Sequence, residues 1–146
     1  MKLSDVKAAG FLFLSGLLLL SACGADAELE ILGSWKSNYD ALEKIDATSW
    51  TSTSSGVTTT YSMVKFDNEA NMVITQNASD ASYDPDKFNK IVWTDIVEDT
   101  FYYCMVDYSK ETAELAETST ASADASDPEN SGCGGFAWTQ LTTHVE

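Results

Sequence analysis

Carboxylates dominate the chemistry this chain can offer. Three groups lie close in sequence: Asp84 with Asp86, Asp95 with Glu98 and Asp99, and Asp124 with Asp127 and Glu129. Two carboxylates facing each other across a cleft could cleave a glycosidic bond. The third group, with Asn130 beside it, supplies hard oxygen donors of the kind calcium takes, so Asp124, Asp127, Glu129 and Asn130 are the metal candidates. Their spacing departs from the EF-hand loop, which sets its Asp, Asn and Gly at fixed positions. Solvated loop acids are the plainer reading of all three groups. The single histidine, His144, stands two residues before the end of the sequence and reads as an exposed tail residue rather than a base or ligand. The seventeen serines include no Gly-x-Ser-x-Gly elbow. Gly132 to Gly135 encloses a cysteine and lacks a following lysine, so it is no phosphate loop. The expectation is a non-catalytic protein without a resident cofactor.

Composition narrows the partners. The chain has 146 residues, 23 acidic and 8 basic side chains, and a formal net charge of −15. All eight basic residues are lysine. A groove that neutralises nucleic-acid phosphates takes clustered Lys and Arg, so a nucleic-acid partner is excluded. Without arginine, bidentate capture of phosphate or carboxylate is excluded as well. The length fits one domain.

Strands must position whatever site exists. Ile31 to Tyr39 mixes aromatic and aliphatic residues with small polar ones and predicts a first strand. Residues 43–54 are rich in Thr and Ser, with Ile45 and Trp50 among them; β-branching favours extended backbone there. Val57 to Phe66 and Met72 to Gln76 flank a polar turn and read as a hairpin, with Val57, Thr59, Tyr61, Met63 and Lys65 on one face. Residues 77–87 are a loop by composition. Phe88 to Thr94 and Phe101 to Tyr108 are further strands, the second densely aromatic. Lys110 to Thr118 is rich in Ala, Glu and Leu and predicts one short helix near 110–118, with Ser109 as its N-cap. Residues 119–131 read as an exposed loop, and Phe136 to Leu141 as a closing strand. Trp35, Trp50, Trp93 and Trp138 read as core rather than as a sugar-stacking platform. About seven or eight short strands joined in sequence form antiparallel meanders. The fold class is therefore all-β: an antiparallel sandwich or a small up-and-down barrel with one inserted helix.

The first 22 residues read as an export signal. Lys2 and Lys7 precede the apolar run 11–20. At 1.5 Å per residue such a run spans about half of a ~30 Å hydrocarbon core, which suits a secretory signal better than a permanent span. It ends in Leu20-Ser21-Ala22-Cys23, which resembles the lipobox of bacterial lipoproteins. That resemblance implies a diacylglyceryl group on the Cys23 thiol and cleavage before it. Two or more acyl chains anchor a protein stably to a bilayer. Gly24, rather than Asp, follows the cysteine; by resemblance to Gram-negative lipoproteins this implies the outer membrane. Residues 23–30 would be a lipidated tether, and 31–146 a single β domain. Removing the signal takes away two lysines and one aspartate, so the mature chain carries six lysines against 22 acids, a charge of −16.

With Cys23 assigned to lipid, Cys104 and Cys133 remain. An exported pair should bridge. The loop they close would stabilise the fold by roughly 3–4 kcal/mol. Two separate thiols are the alternative. A zinc site is poorer, since two sulfurs and a remote histidine leave the tetrahedral shell incomplete.

Two further resemblances bear on function. Gly33-Ser34-Trp35 looks like the Gly-x-Trp element of lipocalins and related calycin barrels, which implies a barrel holding a small apolar ligand. The stretch from Ile91 to Leu141 is similar to a group of uncharacterised bacterial lipoproteins. It carries Phe101-Tyr102-Tyr103-Cys104, Asp127-Pro128 and Gly132-Cys133-Gly134-Gly135-Phe136-Ala137-Trp138. That likeness implies export and the disulfide, and no known activity. Three functional expectations follow: a structural or protein-interacting envelope lipoprotein, a calycin-like barrel for a small apolar molecule, or a carboxylate-based glycan hydrolase.

Overall fold

The computed structural model describes residues 28–145. Its strands in chain order are β1 (Gly33–Ser37), β2 (Leu42–Ile45), β3 (Ser49–Ser54), β4 (Val57–Asp67), β5 (Met72–Asn77), β6 (Phe88–Trp93), β7 (Thr100–Lys110) and β8 (Thr139–Thr143). Each pairs antiparallel with its neighbours in sequence. β8 returns to β1, with Trp35 opposite Thr143 and Ser37 opposite Leu141. The expected all-β fold is thus an up-and-down barrel, and its closure leaves no edge strand unpaired.

Residues 43–54 are not one strand but a hairpin. Asp46 breaks the run: its carboxylate accepts the amides of Thr48 (2.8 Å) and Ser49 (2.7 Å) and the hydroxyls of both residues. Such an Asx arrangement satisfies backbone donors within a turn. It holds the Asp46 carboxyl down at about 2, chiefly through the Thr48 amide.

The turns at 46–48, 68–71 and 94–99 share one end of the barrel, the base; those at 38–41, 55–56 and 78–87 share the mouth. The chain enters at the base. Leu29 and Ile31 are buried there among Trp35, Trp93, Phe101 and Leu141. Asn68 clasps this entry segment, accepting from the Glu30 amide (3.2 Å) and donating to the Glu28 carbonyl (2.8 Å). The Trp93 indole donates to Glu30 Oε1 at 2.6 Å. The expected tether therefore yields its last residues, from Glu28 on, to the folded domain, because Leu29 has apolar surface to bury.

Gly33 and Trp35 share a strand face. The indole folds back and donates its Nε1–H to the Ile31 carbonyl at 3.0 Å. Gly33 has a φ of 146°, and a Cβ there would sit 3.4 Å from that indole nitrogen. That is ordinary contact, so it is the backbone angle, which L side chains rarely adopt, that favours glycine here.

The lower interior is occupied by rings. Trp35 meets Phe101 edge-on at 4.7 Å, and Trp50 meets Tyr103 at 4.9 Å. The alternation expected for β4 holds for Tyr61 and Met63 and then fails. Met63 pairs with Thr75 but Lys65 pairs with Ile74, so Val64 is an extra residue. This bulge shifts the phase by one: Phe66 turns to the core, and Lys65 turns out to an ion pair with Glu117.

Outside the barrel, α1 (Ala113–Glu117) is shorter than expected. β7 keeps Ser109 and Lys110, and Thr112 is the N-cap, its hydroxyl accepting from the Leu115 amide. Ala116, fully buried, covers Met72 and Ile74 on the outer face of β5. Beyond α1 the chain is bound to the barrel by the Cys104–Cys133 disulfide, with the Cα atoms 5.7 Å apart. The closing strand starts three residues later than expected, at Thr139. Cys133 and Phe136 form a separate two-residue bridge, which leaves Phe136 exposed and Trp138 buried.

Candidate functional site at the barrel mouth

Strand lengths create the site. β4 begins at Val57, but its partner β5 stops at Asn77, opposite Tyr61. β7 runs on to Lys110, opposite the first residue of β6. The top of β4 therefore stands above the end of β5, β7 ends level with the start of β6, and the loop 78–87 closes the gap above β5 and β6. Asn77 donates to the Asp84 carbonyl (2.8 Å), Gln76 to the Asp86 carbonyl (3.0 Å), and the Ser109 hydroxyl to Asp84 Oδ2 (2.5 Å). Asp84 and Ser109 both take positive φ at this junction.

A cup of about 670 Å³ lies inside this frame. Tyr61, Asn89 and Met105 form its floor, and Val57, Tyr83 and Tyr108 stand at its rim. The volume lies within the range of small-molecule sites. Asn89 is buried and fully engaged: its Nδ2 donates to Asn77 Oδ1 (2.7 Å) and Thr75 Oγ1 (3.5 Å), and its Oδ1 accepts from the Ser109 amide (3.4 Å). The floor is thus fixed by buried polar contacts that leave no freedom to its amide.

Glu43 lies below. It points into the barrel, 3% exposed, and accepts from Trp50 Nε1 (2.8 Å) and Ser52 Oγ (2.7 Å). Burial raises its pKa against the opposing effect of those two donors. Burial, and then the charge of Glu43, raise the pKa of Tyr61 and Tyr103. None of the salt bridges among the described residues includes Glu43.

The acid groups singled out from sequence are dispersed. Asp84 and Asp86 belong to the mouth loop. Asp95 is at the base, accepting from Asn71 (3.2 Å), and Asp99 is beside it, its carbonyl accepting from Thr143. His144 is also at the base, its amide bonded to the Ser34 carbonyl. Asp124, Asp127, Glu129 and Asn130 lie on the outer flank. Asp124 accepts from Ser126; Asp127 accepts from Asn130 and Ser131; Glu129 accepts from the Tyr102 hydroxyl at 3.0 Å. These bonds hold the carboxyls of Asp124 and Asp127 below the usual range. The Asp124 and Asp127 bonds clasp their own loop, the Glu129 bond ties that loop to β7, and no group among the described residues is arranged to hold a metal ion. Trp35, Trp50, Trp93 and Trp138 are all buried, as core rather than as a platform. Cys23, the lipobox and Gly24 lie outside the described residues.

Sequence reasoning passed over Glu43, Asn89 and Met105. One signal for Glu43 was present: it alternates with Ile45, which places an acid on an apolar face. No family model matches the chain, and no curated protein or solved structure matches it.

Proposed function

We propose that the protein is a non-catalytic, lipid-anchored envelope protein whose barrel carries a small-molecule cup at its mouth. The observation that carries this reading is the cup itself: a hollow of about 670 Å³ over a hydrogen-bonded floor, with the opposite end sealed by the entering chain. The calycin likeness of Gly33-Ser34-Trp35 supports it, with one change. Aromatic rings occupy the lower interior, so the ligand sits at the mouth and meets tyrosines and amides rather than a wholly apolar lumen. The three acid groups lie on separate loops, and Asp124, Asp127 and Glu129 are engaged as hydrogen-bond acceptors, which supports a non-catalytic role.

Anchorage fits the same geometry. The five peptide steps from Cys23 to Glu28 span at most about 18 Å. A lipid on Cys23 would hold the base towards the bilayer and turn the mouth away from it, towards soluble ligands or an envelope protein partner. Cys23→Ser should abolish palmitate labelling and release the chain from the membrane fraction; labelling that persists would refute the anchor.

The cup is tested by ¹³C-methyl NMR of the methionines against a library of soluble fragments. Met105 lines the cup, while Met72 lies outside the barrel beneath α1 and serves as the control. Ligands should move Met105 and leave Met72 in place. A library of several hundred fragments that leaves Met105 unmoved would overturn the binding reading and favour a purely structural role.

A further inference from the structure

The cup's lining has one sign of charge. Its acidic side chains are Asp80 and Asp84, and no lysine or histidine among the described residues lines it. The salt bridges among the described residues involve Lys36, Lys65, Lys87 and Lys110, and none of these reaches Asp80 or Asp84. Asp84 gives one oxygen to Ser109. Glu43 adds a third acid behind the floor, close enough to Tyr61 for its charge to act on the phenol. Tyr61, Tyr83 and Tyr108 supply aromatic rings, and Tyr83 and Tyr108 are 85% and 65% exposed at the rim.

Each feature acts in the same direction. An anion entering the cup would meet carboxylates and no donor cation. A cation is attracted by the carboxylates and by the negative faces of the rings. Met105 and Val57 add apolar surface for an alkyl body. The net charge of −15 raises the local concentration of cations around the whole molecule. We infer that the mouth cup is a site for a small organic cation, an amine or quaternary ammonium with an apolar body; this rests on the small-molecule reading above.

Three probes of one shape test the charge alone: choline, its neutral isostere 3,3-dimethylbutan-1-ol, and the anion 3,3-dimethylbutanoate. Each is titrated into the full chain in a maltoside micelle, with the Met105 methyl as readout. Choline should bind roughly tenfold more tightly than the alcohol, the gain expected of a cation over partly desolvated rings. The anion should bind least, and added salt should weaken choline selectively. The double variant Asp80→Asn, Asp84→Asn should lose most of the preference; asparagine tolerates the left-handed backbone at position 84, so the loop keeps its form. Tyr108→Ala, at an exposed rim position, should weaken choline more than the alcohol. Equal binding of choline and the alcohol, or a preference for the anion, overturns the inference and leaves a small-molecule cup standing. Silence from all three probes also overturns it, and the fragment library, read at the same methyl, decides separately whether the cup binds at all.

Discussion

Trp50 donates its indole N–H to the Glu43 carboxylate at 2.8 Å inside the barrel, with Ser52 as the second donor. The pair faces across neighbouring strands, β2 and β3, and the Trp50 ring also packs edge-on against Tyr103 of β7. A carboxylate is thus embedded in the aromatic layer and holds its largest ring by a hydrogen bond. Burying such a group costs stability unless its hydrogen bonds are complete.

Glu43→Ala leaves the Trp50 nitrogen buried without its acceptor. Glu43→Gln keeps an oxygen for Trp50 and an amide that can donate to Ser52. The alanine variant should be less stable than the glutamine variant by about 1–3 kcal/mol, the cost of an unsatisfied buried donor. Chemical denaturation of the two at neutral pH measures the difference; equal midpoints would show that the bond contributes nothing.

Glu43 also makes a signed prediction about pH. Its native pKa is raised above 4.5, so the folded chain holds this proton in a range where the unfolded chain has released it. Stability from the neutral form is complete below 4.5 and is lost as pH rises through the raised native value. Asp46 acts in the opposite sense: its carboxyl, lowered to about 2, contributes stability above 3.8 that disappears as pH falls towards 2. The difference between wild type and Glu43→Gln isolates the first effect. Glu43→Gln should gain on wild type between pH 4 and pH 8, and a difference that is flat or shrinks would show that Glu43 is not desolvated.

The disulfide closes a loop with a sequence separation of 29. Loop-closure entropy gives it about 3–4 kcal/mol of stabilisation. Cys104 already sits in the β6–β7–β8 ladder, whereas Cys133 lies in the excursion outside it. Cys133→Ser should therefore loosen residues 119–138 first. Protease cutting in 119–131 should rise while far-ultraviolet circular dichroism of the barrel persists. Loss of the whole β signal at room temperature would contradict this order.

Gly132 is enclosed. A Cβ there would lie 2.2 Å from the Asp124 carbonyl oxygen, 2.5 Å from Trp138 Nε1 and 2.6 Å from the Asp127 carbonyl oxygen. Gly134→Ala meets no atom within 4 Å and suffers only from its positive φ. Overpacking costs about 1–3 kcal/mol or more, a left-handed alanine about 1–2 kcal/mol. Gly132→Ala should lower the thermal midpoint further than Gly134→Ala and shift Trp138 fluorescence to the red. The reverse ranking would mean that the 124–132 loop yields easily.

Much of the fold was legible because its signals are local. The hairpin of β4 and β5 stands out by two extended runs around Asp67 to Asn71. Polar Asn, Asp and Ser mark the mouth loop. The closed base and the face of Lys65 were not legible. Leu29 reads as tether until its partners Ile31 and Trp93 are in place, and the bulge at Val64 obeys pairing with β5 rather than any pattern within β4. The candidate site was less legible still. Acids crowded in sequence drew attention to 124–130, where Asp124 and Asp127 clasp their own loop and Glu129 ties it to β7.

By itself the sequence determined the all-β class, the resemblance to a lipobox at Leu20-Ser21-Ala22-Cys23, the lack of any arginine for bidentate anion capture, and the expected pairing of Cys104 with Cys133. Each depends on residue type or on neighbours within a few positions. Tertiary structure alone decided closure over sandwich, the burial of Glu43, and the cup above Tyr61. Those depend on the register between distant segments. Trp35 opposite Thr143 closes the ring. Tyr61 opposite Asn77 leaves the top of β4 paired with β3 alone. Period-2 alternation says which side chains share a face, but only pairing says which face becomes the inside and at what height each strand stops.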